Sequence, residues 1–462
     1  MRRLGPLLLL LGIGCVHPSP PLEPKLLTPG PVWATPGEMV EVEFEAPTRA
    51  LKVRAGTQLV PYQTQQRKHR ARFRAPDQAG PMRVEVESGG ARADLTEVRV
   101  LDAFPVAEVH HDEATFRSGP DPAFDRYDPL LAGVRSQVTG RRGEWLRMAA
   151  GGWIEVGSVT LDEQAVYQQP CLKTASVRDN TLRLTLTGRP PLQVDEDGDR
   201  LRLRLAGTGM TMGEVALPAA GSRIQEVSLL PDAEGLTIDV SLADGPVSGY
   251  YAEWNGDVLL FHVKPALPRS LTGLTVVVDA GHGGIDDGAV GVGGLREKDL
   301  NLRVALATAR ALEAAGAQVV LTRDRDTDVA PPDAPASEEL ASRVRLARQH
   351  NADLFLSIHH NAKPDIGESR RAHGTDIYYY HPQSRRLAQS LATPIGEATG
   401  EPARRYLWRS FHVIRQTDMP AVLLELNYIS NPDIEREMLT KDGYPETAAA
   451  AIVKGCQAFL RR

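Results

Sequence analysis

The sequence predicts a multidomain chain: N-terminal all-β modules followed by an α/β domain whose mostly parallel sheet is flanked by helices. Three observations carry this. At 462 residues the chain is too long for one domain. As far as residue 268, apolar residues alternate with period two between glycine and proline turns. From Leu271 onward, short apolar runs alternate with long helical stretches, the rhythm of a sheet covered by helices. The composition is that of globular protein, with 42% hydrophobic and 24% charged residues. Lys and Arg number 53 against 59 Asp and Glu, a net charge of −6, which speaks against nucleic acid as a partner.

The first element is MRRLGPLLLLLGIGC: two arginines, a short leucine core and small residues before Cys15. It is too short to span a bilayer and suits an export signal. It resembles the lipobox of bacterial lipoproteins, although Gly12 stands where leucine is usual and Leu11 lies one place earlier. That resemblance implies a signal over residues 1–15, lipidation of Cys15, export to the periplasm and membrane anchoring. Val16 fits the outer-membrane sorting pattern. A plain secretory signal containing a cysteine is the other reading. Residues 16–29 are proline-rich and read as a tether.

Residues 30–105 alternate as EMVEVEFEA, RARFRA and MRVEVESGG, the pattern of a small antiparallel sandwich. Its basic stretch RKHRARFR, Arg67 to Arg74, reads as a strand with one wet face rather than an anion site. In residues 106–161 the motifs RSGPD, GEWLRM and GGWIEV resemble bacterial SH3 domains. There Trp145 and Trp153 either fill a small barrel or meet a ligand. Residues 165–268 are strand-like again (TLRLTLTG, RLRLRLAG, VLLFHV), in a pattern similar to the wall-targeting sandwich modules that precede some amidases. Cys171 and Cys456 fall in different domains with no CxxC neighbour, so neither a disulfide framework nor a thiolate metal site is expected.

The last domain, residues 272–462, reads as strands LTVVVDA, AQVVLTR, ADLFLSIHH, TDIYYY and AVLLELN. Helices are expected near 299–315, 338–351, 383–399 and 446–460. Chemistry in such sheets gathers at strand ends. There lie His282 in DAGHGG, His359 in SIHHNA and Glu425 in AVLLE, with Glu297 opening the first helix. A phosphate loop would need GxxxxGK[ST] or GxGxxG, and neither is present. Two histidines and two carboxylates suit a catalytic Zn²⁺, which takes three such ligands and leaves a fourth position open. Taken singly, His282 also reads as a turn histidine, Glu297 as a dipole-favoured first-turn residue and His359 as an edge residue. Glu425 is costly to bury at the end of AVLLE without a partner.

Together, DAGHGG, REKDLNL, SIHHNA and MPAVLLELNYISNP resemble the four motifs of zinc-dependent N-acetylmuramoyl-L-alanine amidases. The resemblance implies that His282, Glu297 and His359 bind zinc and that Glu425 is the catalytic carboxylate. It implies peptidoglycan as substrate, cut between N-acetylmuramic acid and L-alanine. Two departures stand out: His360 replaces a small residue, and Leu426 and Asn427 replace small residues and glycine. On a strand only one of His359 and His360 faces the zinc. The motif favours His359, and leaves His360 to pack, to bind substrate or to meet solvent. The interval between His359 and Glu425 is filled by expected elements, so no blocking helix is expected; GESRRAHG within it reads as a solvated loop. The remaining alternatives are a non-catalytic wall-binding lipoprotein and a zinc peptidase acting within the stem peptide, the latter without an HExxH motif. No activator is readable from the sequence.

Overall fold

The computed structural model describes residues 23–46, 51–88, 91–112, 114–211, 215–216, 221–331, 333–364, 366–400 and 405–461. The expected signal 1–15 with Cys15 lies outside the described residues, as does the tether as far as residue 22. The chain forms two compact units, Met1–Phe104 with Val138–Arg147, and Pro105–Gln137 with Met148–Arg462.

In the first unit two sheets share one apolar core. Strand Met39–Glu45 pairs antiparallel with Lys68–Arg74, in register from Met39↔Arg74 to Glu45↔Lys68. Their alternation buries Val40, Val42 and Phe44 on one strand and His69, Ala71 and Phe73 on the other. The arginines between them face solvent, where Arg70 and Arg72 meet Glu41 and Glu43. The basic stretch is therefore the wet face of a strand.

In the second unit, Val106–Val109 pairs with Val159–Asp162 and Phe116–Arg117 with Trp153–Glu155. Two further sheets follow. Cys171–Arg178, Thr181–Leu186 and Val258–Val263 lie in one, and Leu192–Asp197, Arg200–Ala206 and Gly235–Leu242 in the other. Leu182, Leu184, Leu201, Leu203, Ile238 and Phe261 close the core they share. Cys171 and Cys456 are free thiols.

Among the described residues the C-terminal sheet has six strands: β1 (Thr275–Ala280), β2 (Gln318–Leu321), β3 (Leu354–Asn361), β4 (Asp376–Tyr379), β5 (Arg405–Trp408) and β6 (Ala421–Tyr428). Their spatial order is β2-β1-β3-β6-β4-β5. All neighbours run parallel except β4 and β6, which run antiparallel. Four long helices cover it: α1 (Glu297–Ala314), α2 (Ala336–Gln349), α3 (Pro382–Ala398) and α4 (Tyr444–Leu460). The strand cores are apolar throughout because both faces are buried. Val276, Val278, Leu356, Ile358, Val422 and Leu424 face α1, α3 and α4, which contribute Val304, Leu391 and Ile452. Val277, Phe355, Ala421 and Leu423 face Ala347 of α2. Helices α3 and α4 start one and two residues earlier than the sequence suggests, since proline occupies their first turns. The four-residue edge strand β5 has no counterpart among the expected elements.

Candidate metal centre

The penultimate residue of strand β1 is Asp279, which is 1% exposed and holds the loop that follows. It accepts hydrogen bonds from Arg343 Nη1 at 2.6 Å, Ser357 Oγ at 2.6 Å and Thr322 Oγ1 at 2.8 Å. Burial opposes ionisation of this carboxyl, yet Arg343 and the hydroxyls hold its pKa below the ordinary value. Two buried guanidinium groups then grip the loop backbone. Arg343 donates to the carbonyls of Ala280 and His282, and Arg323 to those of Ala280 and Gly281.

That grip turns the chain so that His282 sits at φ +60°, a conformation uncommon for a non-glycine residue. The glycines beside it are required by space. A Cβ on Gly281 would stand 2.2 Å from the His359 ring, and one on Gly288 2.7 Å from both Glu297 Oε2 and His282 Cδ2.

Three side chains converge. Glu297 Oε1 lies 3.2 Å from His282 Nε2 and 3.1 Å from His359 Nδ1. One donor atom from each of the three falls within 4.8 Å of the others. The two imidazole rings are 4.9 Å apart and nearly perpendicular. Burial of Glu297 opposes its charge, but hydrogen bonds from both histidines outweigh it and keep the carboxylate ionised. The amide of Ala289 donates to its other oxygen at 2.9 Å. For His282, burial lowers the pKa while Glu297 and Asp286 raise it further, to about 9. Asp286, which the sequence reading passed over, takes His282 Nδ1 at 2.7 Å. A carboxylate on the far ring nitrogen is the usual support of a metal-binding histidine.

Glu425 stands on β6 directly beside His359 of β3 and opposite Asp376 of β4. Its Oε2 is buried with no hydrogen-bond partner among the described residues. Burial is the main cause that lifts its pKa to about 7, against the pull of His359. Two imidazoles and a carboxylate form the donor set of a catalytic zinc site. Converged ligand atoms, glycines where a Cβ would collide and an unpartnered acid beside them all fit such an ion.

His360 points to the other face of β3 and is 1% exposed. Its Nδ1 lies 2.7 Å from Asn301 Oδ1 and its Nε2 2.9 Å from the Tyr444 hydroxyl. Of the three roles left open for it, packing is the one found. Asn301 also donates to Glu297 Oε1 at 3.3 Å, so His360 braces the carboxylate from behind. Asn427 takes φ +94°, the left-handed region, where the sequence departs from glycine. The β3–β6 register slips by a bulge there, and Asn427 Oδ1 accepts from the amides of Gly374 and Tyr428. In GESRRAHG, Arg370 and Arg371 face solvent.

Residues 276–458 match the family model described as N-acetylmuramoyl-L-alanine amidase. The germination-specific N-acetylmuramoyl-L-alanine amidase of Bacillus subtilis is 34% identical over 200 residues, 41% of this chain and 81% of that protein. The probable cell wall amidase LytH of Staphylococcus aureus is 35% identical over 230 residues, 49% of this chain and 72% of that protein. Among solved structures, N-acetylmuramoyl-L-alanine amidase AmiC2 of Nostoc punctiforme is 34% identical, covering 41% of this chain and 99% of its own, with a TM-score of 0.37. With the relatives matched over most of their own lengths, this chain belongs to the N-acetylmuramoyl-L-alanine amidase family.

Proposed function

We propose that the chain cleaves the amide between the lactyl group of N-acetylmuramic acid and L-alanine in peptidoglycan, with Zn²⁺ held by His282, Glu297 and His359. The observation that carries this is the convergence of the two imidazoles on Glu297 Oε1, with Glu425 beside His359. When bound, zinc supplies Lewis acidity toward the carbonyl and lowers the pKa of water to about 7. Glu425 takes the proton of the attacking water and returns it to the leaving amine, a task suited to a carboxyl near neutrality. Glu297 is committed to the ligand set, and Asp286 fixes the tautomer of His282 that leaves Nε2 free.

The site is open in this reading. His282 and His359 keep 25% and 17% of their side-chain surface exposed. The long helix between β3 and β6, α3, is spent on the core through Leu387, Leu391 and Ile395, and the other two helices described in that interval, Ile366–Ser369 and His412–Arg415, have four residues each. The modules at 30–105, 106–161 (SH3-like) and 165–268 position the catalytic region, 272–462, at the wall. Cys15 anchors the exported chain to the outer membrane on the periplasmic side, and Cys15→Ser is expected to release it from the membrane fraction.

The test is mass spectrometry of products from purified peptidoglycan incubated with the chain, with zinc, after chelation and with Glu425→Ala. Free stem peptides beginning in L-alanine, with intact glycan strands, are expected only from the untreated protein. Cuts inside the stem peptide would replace this reading with a peptidase. Absence of any cut by zinc-loaded protein would make it a wall-binding protein.

A further inference from the structure

A cavity lies at the end of the sheet away from the metal centre. It is walled by the segment around Asp128, the strand Leu192–Asp197, Tyr250 and the end of β4, with a volume of about 590 Å³, within the range of small-molecule sites. β4 runs antiparallel to β6, so the cavity at Tyr379–His381 is three to five residues beyond Asp376, the residue opposite Glu425. At about 3.3 Å per residue that separates the two by roughly 10–16 Å.

Its lining has two textures. At the mouth, Tyr127 and Trp408 are 40% and 37% exposed, large aromatic surfaces left in water. The Trp408 ring continues onto Tyr380, with centroids 5.6 Å apart. At the floor stands Glu196, whose side chain is 2% exposed. Its Oε2 accepts from the amide of Gln383 at 2.8 Å, while its buried Oε1 makes no hydrogen bond among the described residues and faces His381 Nδ1 at 3.9 Å. A buried carboxyl with one oxygen left without a hydrogen bond, at the floor of a cavity of this size, is a place where a ligand hydroxyl or amide gains one.

We propose that this cavity binds the sugar backbone of the glycan strand, as a grip separate from the site that cuts the amide. This rests on peptidoglycan being the substrate. Saccharides present apolar C–H faces and hydroxyl edges together, which match exposed aromatic rings above a carboxyl floor. A cationic ligand fits less well. Asp195 is already paired with Arg204 at 2.8 Å. Burial, the largest influence on both Asp128 and Glu196, holds them toward the neutral form. The floor therefore offers hydrogen bonds more than the fixed negative charge an ammonium would seek.

The test is isothermal titration of the full chain with soluble glycan strands stripped of stem peptide, and separately with free stem peptide. Stripped strands contain no bond the amidase site can cut, so binding is read without turnover. Binding is expected, with Trp408→Ala and Tyr127→Ala each weakening it about tenfold. Thermal melting controls for folding, and Glu196→Gln, which keeps the shape, is the second variant. The proposal is overturned if stripped strands do not bind while muropeptides are still cleaved. It is also overturned if binding survives both aromatic substitutions, or if free stem peptide binds and those substitutions abolish that binding. Strand binding through this cavity without amide cleavage would instead overturn the amidase reading and leave this inference standing.

Discussion

Glu425 is pulled in two directions. Burial raises its carboxyl from 4.5 to about 7, while a cation held by its neighbours would favour the charged form and draw it back. In its proposed role of general base it must be ionised, so activity is expected to rise with pH through its pKa. The acid limb of kcat/KM in the zinc-loaded protein is therefore expected between pH 4.5 and 7. Glu425→Gln keeps the shape and removes the proton carrier, with an expected loss of about 10²–10⁴ in kcat. A pH–rate profile flat over that window, or a glutamine variant of normal rate, would move the proton carrier elsewhere. His360 makes the opposite kind of statement. Burial holds its pKa at about 3 against an ordinary 6.5. Between those values the unfolded chain binds a proton that the folded one refuses, so stability is lost as pH falls below 6.5. Between pH 7 and pH 5 this amounts to about 2 kcal/mol. Denaturant unfolding of the metal-free protein at the two pH values is expected to show it. In His360→Gln that pH dependence shrinks.

At the scale of elements, the loop carrying His282 is held by a charge pair that spans β1 and α2. Asp279 and Arg343 are 1% and 3% exposed, so neither is solvated if its partner goes. Arg343→Met is expected to destabilise by about 3–5 kcal/mol, the cost of stranding a buried charge. Adding Asp279→Asn to it is expected to recover part of that loss, read by a double-mutant cycle from thermal melts. Additive losses would mean that the pair is not coupled. This support was the least legible part of the site. His282, His359 and Glu425 stand at the ends of apolar runs, where a polar side chain breaks the pattern and draws the eye. Asp279 ends such a run too, in VVVDA, and that was the available signal. Arg343 and Arg323 carried none, because an arginine on an amphipathic helix or after a strand reads as solvated. Period two placed His360 on the far face of β3, yet its partners Asn301 and Tyr444 lie 59 and 84 residues away. Pairing at that separation is a product of the tertiary fold. The antiparallel entry of β4 was hidden for a similar reason: TDIYYY gives a strand but no direction.

For the whole molecule, the question is what the preceding β module does for the catalytic region. Helix α3 begins after His381, which offers no side-chain cap. Its Gln383 amide is met instead by Glu196, from the region 165–268. On the other side, Lys264 Nζ donates to the carbonyl of Ala352, just past α2, at 2.8 Å. The module thus satisfies backbone groups at the ends of two helices of its neighbour. An N-terminal cap alone contributes about 1 kcal/mol, equivalent to roughly 2–4 °C in a region of this size. A fragment of residues 272–462 is therefore expected to melt several degrees below one of residues 165–462. Chemistry should respond differently, since His282, Glu297, His359 and Glu425 all come from the shorter fragment. Turnover of a short soluble muropeptide is expected to agree between the two within about twofold. Calorimetry and product release on both fragments decide it. Equal melting temperatures would deny the module its capping role. A large rise in rate on removing it would mean that it restrains the site, and the open-centre reading would fall.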